Sequence, residues 1–468
     1  MVTMEKDLVI IGGGPGGYEA AIRGAQLGAN VTLIEENKLG GTCLNRGCIP
    51  TKTFYKSAEV INCLKKADEF GVSLDKYNFD MHKAQKKKIE VVNKLVNGIN
   101  MLLKGNGIEV VNGRAVFKGP KTLEVFCEGK TEEITASNII IATGSSPSAV
   151  SVPGVDLKGV VTSDEVLNFE YIPKSMVILG GGVVGIEFAG IFASLGTQVT
   201  IVEFLPKILY RLDDELSRKL TVYLKKQSIR IVTGSALKEV KSYGSELKTI
   251  VGGSKGDLKF DCDLLLMAAG RKPNSEGLNL ETAGIEYDKK GIKVYENYKT
   301  SAEGVYAIGD VIGGVMLAHI ASEEGKVCVE NIYGGNSKVN YNAIPSCVFS
   351  FPEAACVGFT EEEAKENNVE NVVGKSMFGA NGKALTMGEG QGFIKVIAEK
   401  KSHKIIGVHI MGPHASDIVH EGSLAIQNSL TVEDIKDAIF AHPTLSEVFY
   451  EAVCGCIGKA IHSMPKKM

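Results

Sequence analysis

Two cysteines, Cys43 and Cys48 in Gly40-Gly-Thr-Cys-Leu-Asn-Arg-Gly-Cys-Ile-Pro-Thr-Lys52, are the residues best suited to chemistry in this chain. No second pair and no His cluster lies near them in sequence, so a four-ligand zinc site is not set up. On a chain bending into a helix, thiols at this spacing can come within disulfide range. A helix starting near Pro50 would lower the thiol pKa of Cys48 through its positive end. That would supply a thiolate able to pass electrons on; the alternative is two unpaired structural cysteines. Thiol–disulfide exchange also needs a base to form the attacking thiolate. Of the eight His, His442 stands out in Ala441-His-Pro-Thr-Leu-Ser-Glu447. Pro443 sets a helix start, leaving His442 in an exposed turn where Glu447 could orient its ring. Thr444-x-x-Glu447 reads equally as a capping box, which would employ the carboxylate structurally. Spacing leaves both readings open. A second cysteine pair, Cys454-Gly-Cys456, lies in an apolar helical run, where two-residue spacing turns the thiols to different faces. It reads as core.

The elements that must position these groups are announced by an internal repeat. Asp7 to Glu35 and Ser175 to Glu203 each give an apolar strand, a glycine-rich turn, a helix, Leu-Gly, a second apolar strand and a terminal Glu. The interval from first motif glycine to acid is the same in both. Gly12, Gly14 and Gly17 form the first GxGxxG; Gly180, Gly182 and Gly185 form the second. The first Gly allows the tight turn, the second lets backbone approach a pyrophosphate, and the third lets helix pack on strand. The phosphates then meet the positive end of the helix. Glu35 and Glu203 stand where a carboxylate takes ribose hydroxyls. Glu203 would repel a 2′-phosphate, and only Lys207 offers a cation nearby, so NAD is favoured over NADP. Two dinucleotide sites in one chain suggest two cofactors, one passing electrons to the other.

Around this repeat the chain reads as several units, since 468 residues exceed a single core. A helix-rich stretch spans about 50 to 105. Segments such as 109–116 and 122–126 resemble hairpins. The runs 138–144 and 264–270 are buried strands ending at Gly, and 304–310 is a strand ending in an acid. From about 342 strands give way to helices, an α+β unit of its own. Net charge is −3, so no broad basic surface points to nucleic acid or anionic membrane. The run Lys83, Lys86, Lys87, Lys88 and Lys94 reads as a solvated helix face. Most of the ten Cys stand alone in apolar surroundings, as in a reducing compartment. No signal peptide and no membrane-length apolar run is read. The expected setting is the cytoplasm of a bacterium, with a mature organelle form as the alternative.

The residues quoted, together with Ala142-Thr-Gly144, Gly270-Arg-Lys-Pro-Asn274 and Tyr306-Ala-Ile-Gly-Asp310, resemble the pyridine nucleotide–disulfide oxidoreductases over essentially the whole chain. Met316-Leu-Ala-His319 and Val202-Glu-Phe-Leu205 point within that family to oxidation of protein-bound dihydrolipoamide with NAD⁺. The resemblance implies an α/β fold with two Rossmann-like domains, for FAD and NAD, plus an α+β dimerisation domain. Residues 1–147 and 273–341 would form the FAD-binding part, 148–272 the NAD-binding part and 342–468 the interface domain. FAD would touch the first glycine motif, Glu35, Gly41, Thr42, Lys52, Ala115, Thr143, Gly144, Ser145, Asp310, Met316, Leu317, Ala318 and His319. NAD would touch the second motif, Glu203, Leu237, Gly270 and Arg271, with Lys52 paired to Glu187 beside the flavin. Cys43 would exchange with the substrate, Cys48 would face the flavin, and His442 with Glu447 would be the base, supplied by the other subunit of a homodimer. The expected partner is a lipoylated carrier: an E2 lipoyl domain or the glycine cleavage H-protein. No metal is implied. Arg46 replaces an apolar residue common in the family, and a shift in thiolate pKa or flavin potential is its expected effect. The chain starts at the first strand, so the carrier is expected to be a separate protein.

Overall fold

A computed structural model describes residues 5–244, 246–253 and 256–463. Strand Glu5–Ile11 is apolar throughout its second half and buried on both faces, which suits the middle of a parallel sheet. It pairs in parallel with Val31–Glu35 on one side and Lys130–Ile141 on the other. Glu109–Asn112 extends the sheet in parallel beyond Val31–Glu35. The long strand Lys130–Ile141 serves two ladders: its first half also pairs antiparallel with Thr122–Cys127, which pairs with Arg114–Gly119. Val305–Ala307 returns from far along the chain to complete the 7-stranded sheet.

The hairpin expected at 109–116 is therefore split. Residues 109–112 join the parallel sheet, and only the part from Arg114 onward forms the hairpin. Gly113 marks the break, and a Cβ there would meet the Phe126 carbonyl at 2.8 Å.

The second unit repeats the theme. A 5-stranded parallel sheet orders Arg230–Val232, Gln198–Val202, Ser175–Leu179, Leu264–Met267 and Val160–Thr162. An antiparallel meander, Ala236–Tyr243, Glu246–Gly253 and Gly256–Cys262, lies beside it. Ser145–Pro147 and Arg271–Pro273 pair where the chain enters and leaves this unit. The third unit is a 5-stranded antiparallel sheet from Ser346 to Gly412 with helices Ala415–Gln427 and Ser446–Gly455 packed on it.

One apolar core spans all three units. Phe54 and Ala58 of helix Cys48–Lys65 meet Ile186 and Phe188 of helix Val183–Ser194, and Phe393 and Met411 of the third sheet join the same cluster. Each of the larger side chains here, Phe, Ile or Met, contributes roughly 1.5–3 kcal/mol when fully buried, so the relative placement of the units is fixed by packing. A buried ion cluster adds a second tie. Lys395, 2% exposed, donates to Asp213 at 2.8 Å and Glu361 at 2.6 Å, clamping the start of helix Asp214–Lys226 to the third sheet.

The lysine run differs from its sequence reading at one position. Lys83, Lys86, Lys87 and Lys94 are exposed, but Lys88 is buried and donates to the Leu167 carbonyl and Asn168. Met81, Ala84, Gln85 and Lys88 share the buried face of helix Met81–Gly105, and helical period overrides composition there.

Candidate active site

The first glycine motif closes on itself as its spacing requires. Gly12 has φ +105°, and a Cβ there would sit 2.3 Å from the Ala142 carbonyl. A Cβ on Gly17 would meet the Gly12 carbonyl at 1.8 Å, so helix Pro15–Gln26 approaches the strand as only glycine permits. Glu35 accepts the Gly13 N–H with one oxygen and the Asn37 N–H with the other, each at 2.7 Å. The carboxylate is thereby fixed at the strand end, with lone pairs left for ribose hydroxyls.

This turn opens into a cleft of about 1550 Å³. Its walls include Gly12, Gly14, Glu35, Gly41, Thr42, Lys52, Ala115, Thr143, Gly144, Ser145, Asp310 and Met316 to His319, with both cysteines. The volume exceeds the roughly 300–1,000 Å³ of a single drug-sized ligand site. A glycine cradle, a ribose-side acid and a long cleft fit a flavin dinucleotide. Gly17 does not line the cleft; it acts through helix packing. Arg271 donates to the Ser145 hydroxyl at 2.7 Å and carbonyl at 2.6 Å, and the hydroxyl donates to Asp310 at 2.5 Å. The exit strand of the second unit is thereby tied to the floor of the first.

The cysteines sit on two consecutive helices, Gly41–Arg46 and Cys48–Lys65, separated by Gly47. Cys48 is the first residue of the longer helix, two residues before Pro50. The Cys43 thiol is hydrogen-bonded to Cys48, and this bond, more than burial, pushes Cys43 well above the usual thiol range. The same bond, helped by Lys52 one turn on, lowers Cys48 to about 7 against the penalty of burial. The two thiols are shifted in opposite directions, Cys43 up and Cys48 down. Lys52 donates to both oxygens of Glu187, at 2.9 and 2.8 Å, and lies 4.4 Å from the centroid of the Phe349 ring. Burial pushes the Glu187 carboxyl up and Lys52 pulls it back. No sequence motif marks Phe349, which the third unit brings in from far along the chain. Arg46 lines the same cleft as the two cysteines. It points to Asp164 of helix Ser163–Val166, 3.5 Å away.

The second motif reproduces the first. Gly180 has φ +115° with the Ala268 carbonyl 2.3 Å from its would-be Cβ, and Gly185 packs 2.0 Å from the Gly180 carbonyl by the same measure. Glu203 accepts the Gly181 N–H at 2.6 Å and the Leu205 N–H at 2.7 Å. Lys207 is committed to Asp214 and to the Leu212 carbonyl, so it is not free to meet a 2′-phosphate. Val183, Val184, Glu187 and Phe188 of this unit reach the main cleft, whereas Gly180, Gly182 and Glu203 lie outside it. Strand Leu264–Met267 ends before Gly270, which turns at φ +118°. Leu237, expected at the nucleotide, is buried in the core with Val177, Leu179 and Val202.

His442 stands apart from the cysteines within the chain: it is not among the residues lining the cleft. Its side chain is 78% exposed, and its Nδ1 lies 2.9 Å from Glu447. The second Glu447 oxygen accepts the Thr444 N–H at 2.9 Å. The Thr444 hydroxyl donates to the Ala441 carbonyl instead of closing a full capping box. One carboxylate therefore does both jobs weighed from sequence. Its pKa is lowered because the Thr444 and His442 bonds outweigh the effect of burial. Cys454 and Cys456 are buried, in accord with the core reading. Among the described residues, no three His, Cys, Asp or Glu side chains are placed to hold a metal ion.

Comparison with known proteins agrees with this geometry. The pyridine nucleotide-disulphide oxidoreductase family matches residues 6–325, and its dimerisation domain matches residues 344–453. A dihydrolipoyl dehydrogenase of Bacillus subtilis is 42% identical over 98% of this chain and 100% of its own length. That of Geobacillus stearothermophilus is 40% identical over 99% of both chains. Among solved structures, LpdA from Mycobacterium tuberculosis superposes with a TM-score of 0.89 at 25% identity, covering 96% of this chain and 99% of that one. The HOCl-induced flavoprotein disulfide reductase RclA from Escherichia coli gives 0.86 at 29% identity, over 96% of this chain and 99% of its own. This chain belongs to the pyridine nucleotide-disulphide oxidoreductases.

Proposed function

We propose that the chain oxidises dihydrolipoamide on a lipoylated carrier protein and reduces NAD⁺ to NADH, through FAD and the Cys43–Cys48 disulfide. Two cysteines lining one cleft with the first glycine turn, beside the Lys52–Glu187 pair, carry this reading. Full-length similarity to dihydrolipoyl dehydrogenases supports it. Residues 1–147 with 273–341 form the FAD unit, 148–272 the NAD unit and 342–468 the interface unit; the pairing of Ser145–Pro147 with Arg271–Pro273 supports the two crossings. The chain is a homodimer joined through its C-terminal unit, which matches the family's dimerisation domain. The carrier is an E2 lipoyl domain or a glycine cleavage H-protein. The bacterial relatives support a cytoplasmic setting, and no helix among the described residues is long and apolar enough to cross a membrane.

The residues act in order. Glu447 holds the Nδ1 face of the imidazole, leaving Nε2 to take a proton from the first thiol of the substrate. His442 of the partner subunit serves each cleft, which accounts for its distance from the cysteines of its own chain. The substrate thiolate attacks Cys43 of the disulfide, and Cys48 leaves as thiolate, aided by Lys52. The second substrate thiol gives its proton to the imidazole as Cys43 departs with the proton already held there. The substrate is now a disulfide, Cys43 a thiol and Cys48 a thiolate. When bound, FAD supplies the acceptor for this electron pair and NAD⁺ the final acceptor of hydride. Glu35 and Glu203 anchor the ribose ends, and the glycine turns hold the phosphates.

Anaerobic titration of the purified yellow protein with dihydrolipoamide and then NAD⁺ tests the reading. The expected result is a change in the flavin spectrum on the first addition and NADH formation on the second. A flavin that stays oxidised with dihydrolipoamide, yet responds to NADPH and another disulfide, would overturn it.

A further inference from the structure

Glu324 has no part in the steps above. It sits on helix Ala318–Ile332 and is 4% exposed. One of its oxygens accepts the Gly309 N–H at 2.7 Å, and the other accepts the Tyr341 hydroxyl at 2.7 Å. Tyr298 stands behind, its hydroxyl 3.1 Å from that of Tyr341. Glu324 does not line the cleft, but the two segments that donate to its carboxylate reach it: Gly309 with Asp310 directly, and Tyr341 through the stretch Ala343 to Pro345 that follows it. The start of its own helix, Ala318 and His319, lines the cleft too.

The turn at Gly309 shows why a side-chain acceptor is needed. Strand Val305–Ala307 has ended, and Ile308 makes the last sheet bond, to the Ile141 carbonyl. Ile308 is extended, so the Gly309 N–H points to the side opposite that bond and needs another acceptor; Gly309 then turns at φ +70°. The next residue is Asp310, which receives the Ser145 hydroxyl. A buried N–H left without a partner is costly, and so is a buried carboxylate without donors. Were Glu324 only a filler of the core, an apolar residue of similar volume would serve as well. Its two donors instead come from two separate walls of the cofactor cleft.

We propose that Glu324 is a positioning residue for the flavin: it fixes the Gly309–Asp310 turn and the Ala343–Pro345 wall relative to each other, and so sets the cleft that grips FAD. The proposal rests on the FAD reading given above. Burial pushes the carboxyl up and the bonds from Tyr341 and Gly309 draw it back, as a group held by donors should behave.

The test uses holoenzyme and three variants, with FAD release after dilution and the visible flavin spectrum as readouts. Glu324→Ala removes both bonds and is expected to release FAD about tenfold faster, the loss of roughly one buried hydrogen bond, with a shifted spectrum. Glu324→Gln can accept from Gly309 with its oxygen and donate to Tyr341 with its amide, and should restore near wild-type release. Tyr341→Phe should fall between. Wild-type release and spectrum in Glu324→Ala, even with a lower melting point, would overturn the proposal. So would failure of Gln to rescue. If Glu324→Ala does not fold, Tyr341→Phe decides, and unaltered release and spectrum there would overturn it too. Neither readout uses a disulfide substrate, so a wrong substrate leaves the test intact. Wild-type protein purified without FAD would instead sink the flavin reading itself.

Discussion

The two glycine motifs are almost the same object, and what surrounds them is not. Both first glycines turn at positive φ under a carbonyl 2.3 Å from a would-be Cβ, and both acids take two backbone N–H groups. After Glu35 the chain runs into the two cysteine helices and is walled in by segments from across the sequence. After Glu203 it runs into Phe204, 71% exposed, and the second motif lies outside the main cleft. The same local device thus serves an enclosed site in one unit and an open one in the other. An enclosed site suits a resident cofactor, and an open one suits a cofactor that must leave each turnover.

That contrast places all thiol chemistry beside the first unit, which can be broken most sharply at Cys48. Cys48→Ser is expected to lower dihydrolipoamide:NAD⁺ activity by about a thousandfold or more, as removal of a reacting group does. NADH binding measured by fluorescence should stay close to wild type. A loss under tenfold would mean that the electrons take another route.

His442 tests whether one chain suffices. His442→Gln is expected to reduce turnover by roughly 10²–10⁴-fold, the usual worth of a positioned base. Mixed dimers of Cys48→Ser and His442→Gln chains make the arrangement visible. If each cleft uses the base of the other subunit, a hybrid dimer keeps one intact site, and an equal random mixture should recover about a quarter of wild-type activity. If the base acts within its own chain, the mixture stays dead.

How much of this could be read from sequence follows from the range of the interactions. The glycine turns, the two acids and the cysteine pair are set by spacing along a few dozen residues, and they sit where their spacing said. Lys52 with Glu187, expected from the family, is also present at 2.8 Å. What spacing could not give is whatever the third unit supplies. Phe349 over Lys52 and the meeting of two walls at Glu324 depend on chain segments far apart. Lys88 departs from the solvated-face reading for a different reason: the helical period turns that one lysine of the run inward. The Arg46–Asp164 ion pair across units, at 3.5 Å, likewise depends on segments far apart in the chain.

The thiol asymmetry predicts a pH dependence of known sign. Cys48 is lowered to about 7, first by its bond to Cys43 and then by Lys52. In the reduced enzyme its alkylation by iodoacetamide should therefore be half-maximal near pH 7 and fall away below it. The favourable contribution of that thiolate to stability is likewise present at alkaline pH and is lost as pH falls through about 7. Cys43→Ala removes the larger cause while leaving Lys52, so the midpoint should move up toward the ordinary thiol value. Alkylation at pH 7 should slow by about tenfold. An unmoved midpoint would mean that Lys52 and the helix start suffice alone.

The smallest expected effect returns to the paired acids. Glu203→Ala takes from the second turn the acceptor of two N–H groups and the ligand of a ribose. The loss falls on binding that substrate and transition state share, so it should raise KM for NAD⁺ by roughly tenfold and leave kcat nearly unchanged. It should not create NADP⁺ activity, because Lys207 remains held by Asp214 and the Leu212 carbonyl. Glu35→Ala removes the same bonds from the first turn, yet its effect should appear elsewhere. There the cofactor does not exchange, so KM for NAD⁺ should hold while FAD is lost on dilution. If Glu35→Ala instead raised KM for NAD⁺ and Glu203→Ala released flavin, the assignment of the enclosed unit to FAD would be reversed. The two motifs would then have to be read from their surroundings in the opposite sense, since nothing in the glycines or the acids themselves tells them apart.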